Sequence, residues 1–164
     1  MQRETQRLLL RQLTLDDFED FAHYFGDESL SRFVGGPCDR EEAWRKMAML
    51  VGHWNLRGFG YWAVEDKKTH MFSGCVGLWR SEAWPEMELG YWLLPKAQGK
   101  GFATEAAKAA LAFATDTLNT PSLVSYVAKD NRPSIQVAQR LGAYPDGEVR
   151  LANFGVHQVY RYPV

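Results

Sequence analysis

Apolar positions along the chain alternate between two periods, and their order predicts an α+β fold. Leu8, Leu9 and Leu10 before Arg11 read as a first strand. Thr14 with Asp17 has capping-box spacing, ahead of a helix whose apolar face is Phe18, Phe21, Ala22 and Phe25. A short helical piece over 29–34 ends at Gly35-Gly36-Pro37. Asp39 with Glu42 caps the next helix, which carries Trp44, Met47, Leu50, Val51 and Trp54 and stops at Gly58. The period then changes. Segments 61–65 and 72–79 read as strands joined by the polar turn 66–70, an antiparallel hairpin. A loop over 80–85 leads to strand 86–94, stopped by Pro95.

After Gln98-Gly99-Lys100-Gly101, residues Ala103, Ala107, Ala110, Leu111, Ala114 and Leu118 draw a narrow stripe suited to close packing of a helix on a sheet. Segment 123–128 is a strand, Pro133 opens a short helix ending at Gly142, and 149–151 with 156–162 close the chain as a hairpin. Strand 86–94, the helix and strand 123–128 form one βαβ crossover, so those strands are expected to be parallel. The expectation is a mixed, mostly antiparallel sheet of about seven strands with flanking helices, in one domain over 1–164.

Composition narrows the function classes. Apolar residues are 46% and charged residues 24%, a globular balance, and the formal charge of −1 gives no reason to expect nucleic acid as a partner. Cys38 and Cys75 have neither metal-cluster nor CxxC spacing, and His23, His53, His70 and His157 have no ligand spacing. With no apolar signal core at residues 1–5 and no membrane-length apolar run, the expected location is the cytoplasm, away from membranes.

The glycine loop carries the chemistry. Strand, glycine turn and helix start together present several unpaired backbone N–H groups, with the positive end of the helix dipole behind them. A phosphate or pyrophosphate is the natural occupant. A Walker A loop is excluded, because its first glycine would fall at Leu94 and no Ser or Thr follows Lys100, where Gly101 and Phe102 stand. The stretch Gly58-Phe59-Gly60-Tyr61-Trp62-Ala63 matches a dinucleotide fingerprint only formally, since it follows a helix and enters a strand.

The spacing Gln98-x-x-Gly101-x-Ala103 resembles the acyl-coenzyme A pyrophosphate loop of the GNAT N-acetyltransferase superfamily. The resemblance extends over the chain through 7–11, 60–64, 74–78, 88–93, 99–106, Asn131-Arg132-Pro133-Ser134 and Leu141-Gly142, and is closest to the subfamily acetylating ribosomal-protein N-termini. It implies acetyl-CoA as co-substrate and a V between the two splayed parallel strands. Backbone groups of Trp92, Leu93 and Leu94 would pair with the pantetheine arm, and one N–H there would polarise the thioester carbonyl. Gln98, Gly99, Lys100, Gly101, Phe102 and Ala103 would hold the pyrophosphate, and the Asn131 amide would bond the arm. Lys100 could add charge to the phosphates or simply be solvated.

Transfer to an amine needs a base, an oxyanion donor and a proton for the leaving thiolate. Glu88, flanked by Met87 and Leu89, is the base expected from its apolar surroundings; Glu86 is the reserve. Many relatives carry a tyrosine acid seven residues beyond the asparagine, where this chain has Ala138. By resemblance Ser134 takes the acid role. Trp84 beside Pro85 is expected to line the acceptor pocket. The expected activity is acetyl transfer by direct attack in a ternary complex, onto a protein N-terminus or a small amine. The alternative is an acyl-CoA-binding module of the same fold without turnover. Monomer and homodimer both remain open.

Overall fold

A computed structural model describes residues 1–164. Its sheet contains eight strands: β1 (Arg3–Glu4), β2 (Leu8–Arg11), β3 (Tyr61–Asp66), β4 (Met71–Trp79), β5 (Glu88–Leu93), β6 (Val124–Val127), β7 (Tyr144–Leu151) and β8 (Gly155–Arg161). Their spatial order is β1-β2-β3-β4-β5-β6-β8-β7. Only β5 and β6 pair in parallel, as the βαβ reading requires. The helices are α1 (Phe18–Gly26), α2 (Glu28–Ser31), α3 (Arg40–Arg57), α4 (Phe102–Asp116) and α5 (Arg132–Arg140). No helix is long and apolar enough to cross a membrane.

The sheet is covered on both faces. Trp62, Val64, Val76, Leu78, Leu89 and Leu93 pack against α4 and α5. Ala63, Phe72, Cys75 and Trp92 face α1 and α3. Both faces of β4 are therefore apolar, and its run from Phe72 to Leu78 is buried throughout. Small residues bring α4 close: Ala106, Ala107, Ala110 and Ala114 are fully buried. Phe113 on the same helix is also fully buried, a contribution of roughly 1.5–3 kcal/mol.

Polar contacts fix α1. Thr14 and Asp17 form the expected capping box, and Asp17 also accepts 2.8 Å bonds from both terminal nitrogens of Arg11. Arg11 Nε donates to Glu65 at 2.6 Å, tying the helix start to β2 and β3. Tyr24 is thereby held against Trp92 of β5, with ring centroids 4.2 Å apart.

The departures from the expected elements have simple causes. β1 is short and polar, so periodicity does not mark it. β7 starts at Tyr144 rather than Val149 because its first residues are exposed and lack an apolar face. Glu86 lies outside β5, which begins at Glu88. The short helix is 28–31, and Leu118 falls beyond the end of α4.

Close strand packing sets a stability prediction. A Cβ on Gly77 would lie 2.3 Å from Gly60 O and 2.3 Å from Tyr61 Cα, both backbone atoms that cannot swing away. Gly77→Ala is expected to lower unfolding free energy by at least about 2 kcal/mol. Gly52→Ala, in the interior of α3 with nothing within 4 Å, should raise it by about 1 kcal/mol. Urea unfolding of both variants checks the pair.

Candidate active site

The parallel strands stay together only briefly. Their single register point is Glu88 opposite Val124, where Val124 N donates to Met87 O at 3.0 Å. Ser125 Oγ then takes a place in the ladder, bonding Leu89 O at 2.5 Å and sharing a 2.9 Å hydrogen bond with Tyr162 Oη. Past that point the strands diverge. On the other edge of β5, Leu94 N donates to Ser73 O at 2.9 Å. Antiparallel alternation therefore turns the N–H groups of Trp92 and Leu94 toward β4 and those of Tyr91 and Leu93 into the gap. Of the expected stretch Trp92–Leu94, only Leu93 presents backbone to the gap, and Tyr91 joins it. The Leu93 carbonyl accepts from Gln98 Nε2 at 3.0 Å.

Gln98 also begins the turn into α4. Gly101 is its N-cap in the left-handed region, at φ 78°, and supplies no capping side chain. The first helical hydrogen bond is Glu105 N to Gly101 O, leaving the N–H groups of Phe102, Ala103 and Thr104 without helical partners. They open onto a cavity of about 610 Å³ that Gly99 and Gly101 also line. Lys100 makes no ion pair there; its ammonium lies 5.8 Å from the centroid of the Phe102 ring.

Glu105 would repel an anion at this helix start, but it is neutralised. Partial burial opposes its charge, yet donors outweigh that effect and hold the carboxyl below its ordinary range. Thr5 Oγ1 donates at 2.6 Å, Arg7 N at 2.8 Å and Arg7 Nε at 2.7 Å. Arg7 Nη1 also donates to Lys100 O at 2.8 Å, bracing the loop itself. This brace joins residues far apart in the sequence, and no local pattern announces it.

A second cavity, of about 440 Å³, lies on the face of β5 that carries Glu88, Gly90 and Trp92. Glu88 is half-buried in it, and Trp84 Nε1 donates to its Oε2 at 2.7 Å. Desolvation raises the Glu88 carboxyl to about 7, partly offset by the Trp84 bond. Trp84, expected at the acceptor pocket, does line this cavity. Tyr61 Oη occupies the space above Gly90, where a Cβ would come within 1.8 Å of it.

Glu86 has the opposite environment and does not fit the reserve-base role. Arg161 donates to it at 2.8 and 3.0 Å and Ser122 Oγ at 2.5 Å, bonds that lower its carboxyl to about 2. It is a structural anion for β8.

The two cavities share Phe33, Val34, Tyr91, Trp92, Asn131 and Ser134. Ser134 Oγ donates to Tyr91 Oη at 3.1 Å, and Tyr91 Oη donates to Ser134 O at 2.9 Å. Asn131 Oδ1 caps α5 through Ser134 N at 3.3 Å. Ala138 is fully buried in the main core, so a tyrosine there would overpack α5 against its neighbours and would not reach the gap. Tyr91 is the residue that sequence reasoning missed. Strand alternation puts it opposite Glu88 on the α5 side, a signal available once the crossover is recognised. Burial pushes its hydroxyl well above the ordinary range, leaving a neutral phenol. His53 is structural, stacked on Trp79 with its Nδ1 2.8 Å from Phe59 O.

Known proteins share this fold. A model of the acetyltransferase (GNAT) domain matches residues 7–144. The crystal structure of an acetyltransferase from Agrobacterium tumefaciens superposes with a TM-score of 0.92 at 34% identity, over 100% of this chain and 95% of that one. The uncharacterized protein YkkB of Bacillus subtilis is 28% identical over 157 residues, covering 91% of this chain and 88% of its own. The ribosomal-protein-S5-alanine acetyltransferase of Vibrio fischeri shares the fold, with a TM-score of 0.76 at 20% identity over 98% and 95% of the chains. With the domain match covering most of its length, this chain belongs to the GNAT acetyltransferases, a family that takes the acetyl group from acetyl-CoA.

Proposed function

We propose that residues 1–164 act as one N-acetyltransferase domain that moves the acetyl group of acetyl-CoA to a primary amine by direct attack in a ternary complex. The observation that carries this reading is the meeting of the two cavities at Tyr91 and Trp92, one lined by the glycine loop and the other by Glu88.

In this account the pyrophosphate rests on N–H groups between Gly99 and Ala103, and the pantetheine arm fills the gap beside β5, bonding Tyr91 and Leu93. An N–H of that pair polarises the thioester carbonyl and holds the oxyanion of the tetrahedral intermediate. The Asn131 side-chain amide reaches the arm while its Oδ1 caps α5. Glu88, directly or through water, takes a proton from the ammonium or from the attacking nitrogen. The new C–N bond forms, the C–S bond breaks, and the thiolate takes a proton or hydrogen bond from the Ser134 hydroxyl as it turns from Tyr91 Oη toward the sulfur. The chain thereby has a hydroxyl donor without a tyrosine at 138. The alternative of an acyl-CoA-binding module without turnover leaves the tuned carboxyl of Glu88 without a use. Motif resemblance favours kinship in sequence with the ribosomal-protein N-terminal enzymes, while the acceptor follows from the lining of the cavity.

Rate should follow ionised Glu88, rising with pH through about 7 and then levelling. Glu88→Gln is expected to lower kcat by roughly 10²–10⁴-fold with little change in coenzyme A affinity. Trp84→Phe removes a donor that stabilises the carboxylate, so the rising limb should move to higher pH. Initial rates of thiol release between pH 5.5 and 9 check the profile of each variant.

The brace gives a separate expectation. Arg7→Ala should weaken coenzyme A binding by about tenfold, since the loop loses its tie and Glu105 its partner. Adding Glu105→Gln should recover part of that loss by removing the uncompensated charge. Calorimetric titration with coenzyme A measures both.

A further inference from the structure

The charge census of the Glu88 cavity is unusual for a site that must receive an ammonium. Glu88 is the only carboxylate lining it. The basic side chains lining it are Lys46 and His157, and Lys46 makes no ion pair while lying 5.5 Å from the centroid of the Phe25 ring. Most of the remaining lining is apolar or aromatic, including Phe33, Met49, Trp79 and Trp84. A polyamine lying along this cavity would bring a second and a third ammonium against walls that offer no further anion and a lysine that repels them. An unpaired charge taken from water costs far more than apolar contact returns.

The mouth is narrowed as well. Phe154, on the turn between β7 and β8, stands edge-on to Trp84 with centroids 5.6 Å apart. The same ring reaches the loop after α2: a Cβ on Gly35 would lie 3.4 Å from it and 3.5 Å from the Lys46 ammonium. This bridge limits what can pass beside it. A polypeptide acceptor would also bring an amide with each residue, and apolar walls offer such groups few partners.

We infer that the acceptor is a small monoamine on an apolar, ring-sized body, not a polyamine and not a protein N-terminus. The amine faces Glu88, the body lies among the aromatic side chains, and Lys46 with the apolar walls selects against further positive charge. The inference rests on the acetyl-transfer reading above and sharpens its acceptor.

The test compares three acceptors by thiol release from acetyl-CoA: phenethylamine, spermidine and a peptide with an apolar N-terminal residue. Phenethylamine should be acetylated with a specificity constant, kcat/KM, at least about tenfold above those for spermidine and the peptide. Equal or better use of spermidine or of the peptide overturns the inference while leaving acetyl transfer intact. Met49→Glu places a carboxylate at the wall on a half-exposed helix position, outside the reacting groups. It should narrow the spermidine gap by about two- to fivefold, and an unchanged ratio counts against the charge argument. If no amine is turned over, calorimetry with coenzyme A-saturated protein decides separately. Binding of phenethylamine without spermidine keeps the pocket assignment and discards acetyl transfer; binding of neither discards both.

Discussion

One edge of one strand governs this molecule. Between Glu88 and Leu93, β5 is bonded to β4 along its length but to β6 at little more than its start. A buried strand edge must satisfy its N–H and C=O groups or lose several kcal/mol. The protein closes part of the edge with side chains, through Ser125 at Leu89 and Gln98 at Leu93. The groups left facing the gap belong to Tyr91 and Leu93. An extended ligand with its own amides completes such an edge as an added strand would. The glycine loop lies at the far end of the gap and the Glu88 cavity opens at its middle, so the three features share one line.

Electrostatics along that line are divided by local solvation. At the loop, free N–H groups are useful only if the nearby Glu105 does not cancel them, and the pair of Thr5 and Arg7 ensures this. At the cavity, Glu88 has the Trp84 indole and the Tyr126 backbone as donors and no counter-ion, so desolvation dominates. Glu86, two residues away, meets a guanidinium and a hydroxyl, so hydrogen bonding dominates. Two carboxylates nearly adjacent in the chain thereby separate to about 7 and about 2. That separation suits one to the proton transfer proposed above and the other to structure.

The sequence disclosed what depends on local pattern. Strand alternation, helix periodicity, caps at Thr14 and Asp39 and the glycine turn were legible, and with them the parallel pair and the loop. The apolar neighbours of Glu88 also foretold its raised carboxyl. Long-range pairing stayed hidden. The bond from Arg161 to Glu86 and the tie between Arg7 and Lys100 join distant segments, and neither leaves a periodic trace. Tyr91 was overlooked because the tyrosine of many relatives lies on the helix, whereas here the phenol comes from the strand and meets Ser134 across the gap. The backbone assignment at Leu94 failed for a similar reason. Which edge a strand N–H faces depends on the register of β5 with β4, where Leu94 N donates to Ser73 O, and composition does not encode that register.

Amide hydrogen exchange at β5 tests the central claim most directly. The Tyr91 and Leu93 amides should exchange readily in the free protein and become protected when coenzyme A is added. The Trp92 and Leu94 amides, bonded toward β4, should be protected in both states. Protection appearing at Tyr91 and Leu93 alone is the predicted result. Coenzyme A binding that leaves those two amides unchanged would contradict the account, because the arm would then lie somewhere other than the gap between β5 and β6.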